Sequence, residues 1–318
     1  MNTHTIFHIK RCVAVFSILL VVLYACNKDT NPPQASEKSM YRYVLPQGNA
    51  PFDKDIVNYF NLYNTYILYK FSDVDFNYMF SYNLANPALG YNINGKQGPV
   101  VMRGADSIAI PAALDFLKQY CFDFYPEDFK KKFLPQKILL AGLIYTTRWN
   151  GTTRVYDTPR VNPVIVPIEG ADHITLPKID TAFITLPLAN KLILKGQFNQ
   201  LFLKHLMFPA VSSIPARIPE PTDFYKISDY TLSSVTTANK NKYGFITLGT
   251  ANRAPVTSLD LLSFLDTICG KPKTALDAYM LNPKVDSLGL TKRKYDYIVG
   301  YFKNNYNVDI QAIGNKQN

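Results

Sequence analysis

Apolar residues recur at helical spacing in five stretches of the chain. Between residues 53 and 65, Ile56, Val57 and Phe60 follow Asp53, which stands where an N-cap belongs. Residues 111–130 set Ala113, Phe116, Leu117 and Tyr120 on one face. The run from 188 to 207 carries Leu188, Leu192, Leu194, Phe198, Leu201, Phe202 and His205 over several turns, and Pro209 stops it. A shorter helix is predicted over 257–268, and an amphipathic one over 291–310 with Tyr295, Ile298, Val299 and Phe302 as its stripe. Short β-branched and aromatic runs predict strands at 66–71, 137–146, 173–177 and 181–187, the last two ended by prolines that cannot donate to a ladder. Residues 211–243, with Pro215, Pro219 and Pro221, read as loop. Strands come mainly first and helices later, the order of an α+β arrangement.

The beginning of the chain follows another pattern. Lys10 and Arg11 precede an apolar run from Val13 to Leu23, short of the roughly 20 residues that a membrane span needs. It has the form of a signal-peptide core. The run ends in Leu23-Tyr24-Ala25-Cys26, which resembles a lipobox, with Tyr24 bulkier than usual. On this reading residues 1–25 are a lipoprotein signal peptide and Cys26 becomes the lipidated N-terminus. Residues 26–39, polar and carrying Pro32 and Pro33, form a flexible tether, and the body spans 40–318, with a subdomain split near 187–210.

Composition adds bounds to this picture. With 47% hydrophobic and 14% aromatic residues there is ample material for a core. The net charge of +10 falls to +8 when Lys10 and Arg11 leave with the leader. Its lysines are scattered, the densest run being Lys130-Lys131-Lys132, so nucleic acid is not an expected partner. Cys121 and Cys269 are the thiols left in the body; they could pair, and the absence of a C-x-x-C pair argues against a cysteine zinc site.

Taken in order, the lipobox, "PFDKDIVNYFNLYN" running into "YILYKFSD", the apolar strand at 137–145, the central helix, "YGFITL" and the closing "KYDYIVGYFKNNYNVDI" resemble one family. It is that of the zinc-binding metallopeptidase lipoproteins found beside bacterial outer-membrane nutrient importers. The resemblance spans roughly residues 40–313. It implies a zincin-like body, with a mixed strand and helix part first and a mainly helical part after it.

The central helix of that family carries His-Glu-x-x-His, in which two imidazoles one helical turn apart grip zinc and the glutamate serves as general base. Here the resemblance puts the first histidine position at Gly196, the glutamate at Gln197 and the second histidine at Gln200. Glycine offers no donor, and a glutamine amide is neither a base nor a good zinc ligand. On the downstream helix, expected to supply a third ligand, Thr257, Ser258 and Leu261 stand at the acidic positions, with Asp260 and Asp266 nearby. The body holds only His173 and His205, and His205, nine residues past Gly196, lies about 180° around an ideal helix from it.

No nucleophile elbow, phosphate loop or dinucleotide fingerprint is present. The expectation is thus a degenerate member with no catalytic residues, no metal and no cofactor. It would be lipid-anchored at the outer membrane, facing the surface or the periplasm, and would act as a binding or accessory component of a nutrient importer, taking a glycan or a peptide. Two alternatives stand beside it: an active metal-dependent hydrolase using non-standard ligands such as Asp260 or His205, and a purely structural envelope lipoprotein.

Overall fold

The strand predicted at 137–146 runs on to Asn150 and is the axis of the fold. In chain order the strands are β1 (Tyr66–Leu68), β2 (Gln97–Gly104), β3 (Lys137–Asn150), β4 (Val155–Tyr156), β5 (Val161–Pro163), β6 (Ile168–Glu169) and β7 (His173–Leu176). The first residues of β3 lie between two parallel neighbours, with Ile138 opposite both Ile67 of β1 and Ile174 of β7. Ile138, Leu139, Leu140 and Ala141 are fully buried, which is why this segment reads as an unbroken apolar run. The outer half of β3 pairs antiparallel with β2, β4 and β5, and β6 pairs antiparallel with β7.

The computed structural model describes residues 43–76, 97–150, 152, 155–156, 161–209 and 214–318. The predicted leader, the predicted lipidation position Cys26 and the predicted tether lie outside the described residues. Leu45–Asn318 forms one compact unit.

The helices are α1 (Pro51–Tyr63), α2 (Asp73–Phe76), α3 (Ile110–Phe116), α4 (Glu127–Phe133), α5 (Thr181–Ile184), α6 (Leu188–Met207), α7 (Thr257–Gly270), α8 (Lys273–Ala278), α9 (Leu290–Tyr306) and α10 (Ile310–Asn315). They correct the sequence expectation in four places. Asp53 is not the N-cap of α1: Pro51, with φ already set for a helix, occupies the first turn, and Ala50 is the cap residue. Asp53 instead reaches back, its carboxylate accepting from the Ala50 N–H at 2.9 Å and from the Tyr69 hydroxyl at 2.8 Å.

The single helix predicted at 111–130 is three pieces: α3, a π-helical segment at Leu117–Phe122, and α4 after a break. Pro126 makes the break, because neither it nor the residue before it continues a helix comfortably. The strand predicted at 181–187 is the short helix α5. Asp180 caps it, accepting from the Ala182 N–H at 3.0 Å, and that local bond outweighs the β propensity of "TAFIT". The helix predicted at 291–310 stops at Asn307, whose φ of 54° is left-handed, and the chain restarts as α10 under an Asp309 cap.

Phe198, Phe202, Leu203 and Leu206 of α6 share one core with Ile138, Leu140, Ile174 and Leu176 of the sheet and Leu261, Phe264, Leu265 and Ile268 of α7. Each such side chain is worth about 1.5–3 kcal/mol of burial. No helix among the described residues is long and apolar enough to cross a membrane.

Candidate functional site

α6 forms over 188–207 as its periodicity predicts, and it turns Gly196, Gln197 and Gln200 toward three different surroundings. Gly196 is buried where α6 crosses the end of α7. A Cβ built there would sit 2.8 Å from Gly270 Cα and 3.3 Å from Gly270 N, so the two backbones touch. One turn on, Gln200 shares a cavity with Ser263 and Asp266, which means α6 and α7 run antiparallel. Gln197 opens on the other side, into a groove of about 180 Å³ walled by Pro177, Ala182, Phe183, Leu186 and Leu194.

A catalytic zinc held by α6 does not fit these residues. Position 196 has neither a donor atom nor room for one, and Gln197 and Gln200 offer only amides. The acidic positions of α7 are no help. Leu261 belongs to the core, and Asp260 lies ten residues before Gly270, about 15 Å along the helix axis. Asp260 is also held in the interior: it is 0% exposed, and its Oδ2 pairs with Lys294 Nζ at 2.6 Å and accepts from the Tyr230 hydroxyl at 2.5 Å, while its buried Oδ1 has no hydrogen-bond partner among the described residues. Burial pushes the Asp260 carboxyl up and the Lys294 ammonium down, and the pair opposes both shifts. Around Lys294 stand the rings of Phe245, Tyr230 and Phe224, with centroids 4.5, 4.7 and 5.0 Å from Nζ. Asp260 is thus an anchor joining α7, α9 and the loop at 222–245.

The two histidines are core residues as well. His205 Nδ1 lies 3.0 Å from Glu169 Oε1 of β6, and Lys204 Nζ bonds the other oxygen of the same carboxylate. His173 opens β7 fully buried, with Nδ1 3.1 Å from Asp172. Burial pushes its imidazole below the usual range against the pull of Asp172. Among the described residues no group of three or more His, Cys, Asp or Glu side chains could hold a metal ion. Cys121 and Cys269 are both buried free thiols.

Apart from Gln197 itself, what sequence reasoning missed are the residues that line the groove beside it. Its rim carries exposed apolar residues, Ile165 at 59% and Ile193 at 59%, with Lys178 as its one charged lining residue and Asn190 and Gln197 as amides. Lys178 holds a φ of 61°, a left-handed conformation that a long side chain seldom adopts and that gathers at ligand sites. The signal available beforehand was the outward place of Ile193 and Gln197 on α6. The opposite wall comes from residues 165–186 and could not be paired with it by spacing.

No family model matches the chain, and no curated protein matches it. Among solved structures it is similar to a protein of Bacteroides caccae ATCC 43185 described as a "putative zinc-binding metallo-peptidase", with a TM-score of 0.43 and 16% identity, over 84% of this chain and 91% of that one.

Proposed function

We propose that this protein is a zincin-like lipoprotein without peptidase activity, which binds an extended peptide through the groove beside Gln197. The observation that carries the reading is the backbone contact between Gly196 and Gly270: it fills the place where the first metal ligand would stand, while Gln197 faces an apolar groove. The groove suits a peptide's apolar side chain. Asn190 and Gln197 can pair with its backbone, and Lys178 with a carboxylate. On this reading the chain is held by lipid on Cys26 at the outer membrane, facing the surface or the periplasm, and serves an importer as an accessory binding component. The leader and lipobox support the anchor. The importer rests on the family resemblance.

The first test is zinc content of the full chain after dialysis against micromolar zinc. Far less than one zinc per chain is expected. About one per chain, lost on His205→Ala or Asp260→Ala, would overturn the non-catalytic reading. For the groove, the test is fluorescence polarisation with labelled apolar peptides. Ile193→Glu, an exposed change, should abolish binding; unchanged binding would remove the groove from the proposal.

A further inference from the structure

A second cavity, of about 380 Å³, lies between α1, α3, the π-helical segment and the start of α4, and shares no lining residue with the groove on α6. Its size is within the roughly 300–1,000 Å³ of ligand pockets. Part of its wall is apolar: the Tyr59 ring stands 5.8 Å from both Tyr63 and Phe122, and Leu62 is 47% exposed beside them. The rest is polar and unspent. The side chains of Asp55, Asp115 and Asp123 make no hydrogen bond or ion pair within the described residues, and neither do those of Asn58 and Lys118. The half-buried Tyr59 hydroxyl has no protein partner either. The contrast with the next turn is sharp: Glu127 is tied to Lys130 at 2.5 Å and to the Tyr63 hydroxyl at 3.0 Å.

The backbone that sets this wall is unusual. Leu117–Phe122 is π-helical, a rare conformation found often at functional sites, and it supplies Lys118 and Phe122, with Asp123 directly after it. Acceptors (three carboxylates) and donors (an amide, an ammonium and a phenol) therefore share one surface beside exposed apolar area. A ligand that satisfies both sets must donate and accept from the same groups and carry an apolar face. Hydroxyls do the first, and the C–H face of a sugar ring does the second against aromatic side chains. Three carboxylates against one free ammonium make the wall net negative, which disfavours an anionic ligand.

We propose that this cavity is a saccharide-binding site selective for neutral sugars over uronic acids. It is independent of the peptide groove, so either can fail without the other. The test is saturation-transfer NMR of the full chain with maltose, cellobiose and lactose, with digalacturonic acid as the anionic counterpart and spermidine as a cation probe. At least one neutral disaccharide should bind and digalacturonate should not. The exposed changes Asp115→Asn and Asp123→Asn, made together, should weaken binding at least about tenfold with the circular dichroism spectrum unchanged. Tyr59→Phe, which removes only the hydroxyl, should weaken it by a smaller factor. The proposal is overturned if none of the three neutral disaccharides binds, if digalacturonate binds as well as they do, if the double variant binds normally, or if spermidine alone binds, which would mark the cavity as a cation site.

Discussion

Replacing Gly196 with alanine adds one methyl group at the crossing of α6 and α7. Its carbon would meet Gly270 Cα at 2.8 Å, Gly270 N at 3.3 Å and the Cys269 carbonyl oxygen at 3.5 Å. The nearest obstacle is backbone and cannot swing aside, so the helices must separate by several tenths of an ångström. Overpacking of this kind costs about 1–3 kcal/mol. Against it, alanine in a helix interior is about 0.8–1.0 kcal/mol better than glycine. The net expectation is a loss of about 1 kcal/mol, read in urea unfolding as a midpoint lower by about 0.3–1 M. Gly270→Ala is the control, because a Cβ there meets nothing within 4 Å; at the last position of α7 it should leave the midpoint in place or raise it. Gly196→His must fit an imidazole into the same contact and should cost more, about 3 kcal/mol. Restoring the full pattern with Gly196→His, Gln197→Glu and Gln200→His should therefore destabilise the fold rather than create a zinc site. If Gly196→Ala proves as stable as the wild type, or more so, the close packing of α6 on α7 does not constrain position 196.

Three further outcomes follow from other buried groups. Asp260→Asn leaves the Lys294 ammonium among its rings without an anion and should cost about 3–5 kcal/mol in urea unfolding, whereas Asp260→Leu with Lys294→Met should cost clearly less than the single change. Burial pushes the Lys195 ammonium down to about 8, against about 10.4 in an unfolded chain. The unfolded chain thus holds more protons between about pH 8 and 10.4, so the contribution of Lys195 to stability is flat below that window and rises with pH across it. The wild type should gain on Lys195→Met in urea unfolding between pH 7 and about 9.5. Cys121 and Cys269, buried and with thiols pushed up by that burial, should resist a thiol reagent in the folded protein and react at once in denaturant.

The readable parts of the fold are those whose pattern is local and whose neighbours do not contradict it. The α6 run is legible because Phe198, Phe202 and Leu206 all fall on one buried face. "TAFIT" misleads because a single carboxylate, Asp180, decides its first turn. The helix at 291–310 overruns because Asn307 turns left-handed inside an otherwise continuous stripe. The π-helical segment gives no sequence signal at all, since Leu117–Phe122 keeps an ordinary helical apolar spacing. As for the candidate site, Gly196, Gln197 and Gln200 could be located, and so could their chemical poverty. What stayed hidden is assembled from distant segments: the Gly270 backbone against Gly196, the wall at 165–186 facing Gln197, and the bond of Lys294 to Tyr230 across 64 positions.

Lys195 sits fully buried in the middle of α6, and its ammonium bonds the carbonyl oxygens of Ile313 and Lys316, the former 118 positions later. A ribosome adding about 5–20 residues per second needs roughly 6–24 s to cover that interval. Until then the cation has no acceptors at this place, and the central helix cannot settle into its final surroundings without stranding a charge. The body would therefore close late, after residues 310–316 have emerged, and would stay open through most of synthesis.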